Sequence, residues 1–119
     1  MTDDLICRAK IATVMADDLI YRLSNVKDYF DSAISLLNIC EWDSNDIRPE
    51  LEKAEAKASE TRDYPGLVRG YRRLAKEHIK KAKYWRNGKY VTSPTGARYH
   101  DKMARIYLKK AGKLENFLD

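Results

Sequence analysis

Leu5, Ala9, Ala12, Ala16, Leu19, Leu23, Val26, Phe30, Ala33, Leu37 and Cys40 follow one another at spacings of four and three residues. An α-helix places such positions on one face, whereas a strand would need a period of two. This is the heptad rhythm of a helix that packs lengthwise along a seam. A stripe of that length must be buried, so the chain is committed to packing helix against helix. The stripe keeps its phase across Ser24-Asn25, and no Gly or Pro interrupts it there. One reading is a single helix over residues 3–42, which the unbroken phase favours. The other is an antiparallel pair over 3–23 and 26–42, with Ser24 or Asn25 as N-cap. In the pair Cys7 and Cys40 lie side by side; in the single helix they stand about 50 Å apart, at ~1.5 Å per residue.

The rest of the chain continues the theme. Glu41 to Asp46 reads as a turn with capping side chains. A helix then starts near Ile47, with Pro49 in its first turn and only Leu51, Ala54 and Ala58 as apolar face. So thin a face predicts a peripheral helix. Pro65 suits the first position of the next helix. Leu67, Tyr71, Leu74, His78, Ala82 and Trp85 form its stripe, and Asn87-Gly88 its stop, with Gly88 in a left-handed position. Ser93-Pro94 reads as an N-cap and first helical residue. The last stripe is Ala97, His100, Ala104, Tyr107, Ala111, Leu114 and Leu118. The expected fold is therefore all-α, a helical bundle of four to five helices with a long N-terminal helix or helical hairpin. At 119 residues, one domain over 1–119 is expected.

Charge is laid out unevenly along that domain. Residues 1–60 carry 7 Lys/Arg against 13 Asp/Glu, or −6, and residues 61–119 carry 16 against 5, or +11. Two cysteines make neither a zinc site nor a disulfide framework. No apolar run approaches the roughly 20 residues of a spanning helix. Met1-Thr2-Asp3-Asp4 has neither the basic start nor the apolar stretch of a signal peptide. A cytoplasmic location is expected, with no cofactor and no metal.

The feature that points furthest toward function is the basic, aromatic-rich C-terminal part. Arg69, Arg72, Arg73, Lys76, Lys80, Lys83 and Arg86 lie off the apolar stripe of their helix. Arg98, Lys102, Arg105, Lys109 and Lys113 form a row at spacings of three and four. Tyr64, Tyr84, Trp85, Tyr90 and Tyr99 are interleaved with these cations. Lys and Arg neutralise phosphates, and flat rings stack on bases. The two helices are read as presenting one face to an anionic partner, nucleic acid or nucleotide first. An acidic N-terminal half could instead neutralise that face, within the molecule or between copies. Thr92-Ser93-Pro94-Thr95-Gly96, ahead of the last helix, could cap it or hold a phosphate.

His78 and His100 both fall in stripe phase, so both point inward. A hairpin about residues 88–94 sets His100 opposite Ala82, with His78 one turn deeper. Beside Tyr71, Tyr107 and Glu77 such imidazoles are either polar filler or an acid–base site. The stretch Arg73-Leu74-Ala75-Lys76-Glu77-His78 resembles, over six residues, the arginine-to-histidine spacing of HEPN ribonucleases, helical domains of about this size. Leu74 departs from the polar residue that family places after its arginine. The resemblance implies a metal-independent ribonuclease acting as a dimer, with Arg73 and His78 paired across the interface. Three functions follow from the sequence. The leading one is a non-enzymatic binder of an anionic partner. The alternatives are a protein–protein module or phage-type inhibitor that oligomerises or docks on a larger complex, and the ribonuclease.

Overall fold

A computed structural model describes residues 25–39, 46–88 and 93–118. These residues hold four α-helices and no strand: α1 Val26–Ile39, α2 Arg48–Thr61, α3 Tyr64–Arg86 and α4 Pro94–Leu118. The chain divides into two compact units, Met1–Asp63 and Tyr64–Asp119. The division falls close to the point where the charge changes sign. None of the described helices is long and apolar enough to cross a membrane.

In the first unit α1 packs on α2. Asn25 stands just outside α1, and its Oδ1 accepts the Asp28 N–H at 2.9 Å. That bond satisfies a donor that would otherwise be orphaned in the first turn. α1 begins at Val26 with Asn25 in the N-cap role read from the sequence, and the long N-terminal helix falls on residues outside the described ones. Whether residues 3–23 are helical lies outside the described residues, as do Cys7 and Cys40. At the start of α2, the Arg48 N–H donates to Asp46 Oδ1 at 3.0 Å, and the Arg48 guanidinium grips the same carboxylate. α2 has the thin apolar face expected of it, and its remaining residues are mostly exposed. Leu51, Ala54 and Ala58, the three residues of that face, are all buried. α2 ends at Arg62, whose φ of 59° is left-handed, and the Asp63 N–H closes the turn onto the Ala58 carbonyl at 3.1 Å.

The second unit is an antiparallel hairpin of α3 on α4. α3 begins at Tyr64, so Pro65 takes the second helical position rather than the first. Large side chains of α3, Leu67, Tyr71, Leu74 and His78, face an α4 seam in which small and large alternate: Ala97, His100, Ala104, Tyr107, Ala111. The alanines leave holes into which the rings of the facing helix fit. Tyr71 and Tyr107 stack at 6.0 Å between centroids.

The turn between these helices differs from expectation. No described glycine has a positive φ, so Gly88 is not a left-handed cap. Instead the Ser93 N–H donates to the Trp85 carbonyl at 2.8 Å, satisfying a carbonyl at the end of α3 from across the turn. With that acceptor taken, a left-handed glycine is not needed. Ser93 caps α4 as expected, its Oγ accepting the Gly96 N–H at 3.0 Å. Gly96 lies against Trp85, where a Cβ would meet ring Cγ at 3.3 Å.

Candidate functional site

The predicted binding residues resolve into two groups with different surroundings. All the cations named from the sequence on α3 and α4 are exposed: Arg69, Arg72, Arg73, Lys76, Lys80, Lys83 and Arg86, then Arg98, Lys102, Arg105, Lys109 and Lys113. Across both helices 14 Lys/Arg stand against 3 Asp/Glu. The three carboxylates are already engaged within the hairpin. Glu115 pairs with Arg72, Asp101 with Arg86, and Glu77 with Lys80 at 3.5 Å. Arg69, Lys76, Lys83, Lys102, Arg105 and Lys109 enter no ion pair with a described residue.

The aromatics divide. Tyr84 and Tyr99 are exposed, at 45% and 43%, but Trp85 is 7% exposed and packs edge-on against Tyr84. Trp85 belongs to the core, where its bulk closes the hairpin over Gly96, and no base can reach it. Tyr64 is half-buried, and Tyr90 lies outside the described residues.

The two helices do not present one cationic face. Each row lies opposite its own buried stripe, and the stripes face each other across the seam. A helix places residues three and four apart on one side. The α3 row therefore points out of one side of the hairpin and the α4 row out of the other. The sequence shows each row's phase against its own stripe, but the opposition appears only when the stripes are known to pair.

His78 and His100 meet inside that seam, with Nδ1 to Nδ1 at 2.8 Å and ring centroids 5.1 Å apart. Trp85 lies against Gly96, one residue from the expected Ala97, and the two rings, expected one turn apart in depth, nevertheless meet. The Ser93-to-Trp85 hydrogen bond closes the turn at that end of the seam. Tyr107 stacks on His78 at 5.7 Å, and Tyr99 meets it edge-on at 6.4 Å. One imidazole must donate through Nδ1 and the other accept, so at least one of the pair is neutral. Burial, then the neighbouring His100, then Lys81 push the His78 pKa down to about 4. Burial and Lys81 also lower that of His100, with Asp101 opposing. His78 Nε2 has no hydrogen-bond partner. A buried bare lone pair is tolerated better than a buried orphan N–H. The pair is therefore best satisfied with His78 donating from Nδ1 and His100 accepting.

Arg73 and His78 are not brought together. Arg73 is exposed on the outer side of α3, while His78 is sealed in the seam at 1% exposure. A substrate on the Arg73 side has no path to that imidazole while α3 and α4 stay packed. Among the described residues no group of three or more His, Cys, Asp or Glu is placed to hold a metal ion. Ser93 Oγ, one of three hydroxyls in the turn read as a cap or phosphate holder, accepts the Gly96 amide and so acts as the cap. No family model, no curated protein and no solved structure matches the chain.

Proposed function

We propose that this chain is a non-enzymatic binding protein that holds an anionic partner, nucleic acid first, on the outer cations of α3 and α4. One observation carries the reading: the hairpin's few carboxylates are consumed by flank pairs, and two rows of exposed Lys and Arg are left over. A polyanion repays the row with counterion release at every phosphate it neutralises. The buried histidines, sealed from solvent, serve the packing of the hairpin in this reading.

The test is fluorescence anisotropy with a labelled duplex across a salt series. Binding should weaken steeply as salt rises. Arg105→Ala should lower affinity and reduce the salt slope by about 1. Arg72→Ala should do less, because Arg72 is held by Glu115. Binding that is absent, or indifferent to salt, overturns the proposal.

A protein–protein role is the second reading. Tyr99, Met103, Ile106 and Phe117 fall along one flank of α4, and Phe117 is 85% exposed. Sedimentation showing a species above 13.8 kDa that survives nuclease treatment would favour it.

A further inference from the structure

Resting on the nucleic-acid reading, we infer that the α3/α4 hairpin is a bridge: it binds two duplex segments at once, one along each outer side. The opposition of the two rows is the observation that points there. Arg69, Lys76 and Lys83 project from one side, and Lys102, Arg105 and Lys109 from the other, with the His78–Tyr107 seam between. Two packed helices of ~10 Å diameter hold the rows about 20 Å apart. That exceeds the Debye length of ~8 Å at physiological salt, so each row attracts its own phosphates with little influence from the other.

The occupant follows from the chemistry of the rows. The rows are built of Lys and Arg, and the exposed rings stand at their margins, Tyr84 one turn beyond Lys80 and Tyr99 one turn before Lys102. One ring at the margin of each row does not make the succession of platforms on which unpaired bases stack, whereas the continuous charge suits phosphate backbone. The α4 cations from Arg98 to Lys113 extend along about 22 Å of helix, at ~1.5 Å per residue, as one straight row. A duplex with a persistence length of ~150 base pairs cannot bend round so narrow a hairpin to touch both rows. One duplex therefore fills one row and leaves the other for a second. A single strand is flexible enough to wrap, and would consume both.

The experiment uses the full chain and two readouts. Anisotropy reports binding to one labelled duplex. Bridging is read as capture of a fluorescent duplex on beads that carry a different, unlabelled duplex. Three proteins are compared: the parent, Arg69→Gln/Lys76→Gln/Lys83→Gln, and Lys102→Gln/Arg105→Gln/Lys109→Gln, each checked for parental helicity. Neutral substitutions on exposed helix faces preserve the fold, so all three remain comparable. The parent should bind and bridge. Each triple variant should still bind duplex through its intact row, and bridging should fall at least tenfold in both.

Parent protein that binds duplex without bridging overturns the inference and leaves the binding reading standing. So does a result in which one triple variant loses both signals and the other keeps both, since that describes a single working face. Bridging that survives in both variants also overturns it, because self-association would then join the duplexes. Failure of the parent to bind duplex at all removes the underlying reading, and the bridge with it.

Discussion

At the scale of single residues, the His78–His100 contact sets a pH-dependent term in the stability of the hairpin. A histidine whose pKa is lowered by folding takes up its proton more readily in the unfolded chain. Its contribution is complete above the unfolded value of 6.5 and is lost as pH falls toward about 4. His100 acts in the same direction. Unfolding free energy should therefore drop by at least about 1 kcal/mol per pH unit across that window. The double variant His78→Leu/His100→Leu removes both titrations and replaces a buried pair with apolar groups of similar size. Such a swap can be near neutral at pH 7. Urea titrations between pH 4 and 7 should show a sloping stability for the parent and a flatter one for the variant. Equal slopes would mean that other groups carry the acid sensitivity. Stripe phase alone placed both rings inside. Their direct contact was not legible, because stripe phase fixes which face a ring takes and not how far it reaches along the seam toward a ring one turn away.

At the scale of elements, two glycines of α4 separate the cost of backbone freedom from the demands of packing. Gly112 lies within the helix, and a Cβ there would meet nothing within 4 Å. Gly112→Ala should stabilise the protein by about 0.5–1 kcal/mol through the reduced freedom of the unfolded chain. Gly96→Ala gains the same term, but its Cβ would press on Ser93 Oγ at 3.1 Å and Trp85 Cγ at 3.3 Å. It should be less favourable than Gly112→Ala, and thermal melts of the two variants will rank them. An equal gain at both would show that the Trp85 end of the hairpin yields freely. Sequence marked the start of α4 correctly because Ser93-Pro94 is a local signal, complete within two residues. It misjudged Gly88, since that position depends on what another segment offers, here a Ser93 amide.

At the scale of the whole chain, the charge asymmetry couples stability to the proposed function. Arg69, Arg72, Arg73, Lys76, Lys80 and Lys83 recur at spacings of three and four on α3, as do Arg98, Lys102, Arg105, Lys109 and Lys113 on α4. Like charges at those separations repel by about 0.2–0.5 kcal/mol per pair. Within the hairpin the favourable pairs, Arg72 with Glu115, Arg86 with Asp101 and Lys80 with Glu77, are partly solvated, and exposed pairs of that kind contribute little. Repulsion should therefore dominate, and screening it should stabilise the fold. Raising sodium chloride from about 0.02 to 0.5 M shortens the Debye length from ~20 Å to ~4 Å, below the spacing of neighbouring side chains. The melting temperature should rise by roughly 5 °C, the equivalent of about 1–2 kcal/mol in a chain of this size. A short duplex at low salt should have the same effect at far lower concentration, because it binds the folded rows and adds its own mass-action term. Neutralising either row with three glutamines should shrink the salt response. A melting temperature that falls with salt would show that the ion pairs outweigh the rows. The hairpin would then hold no store of repulsion for an anionic partner to relieve.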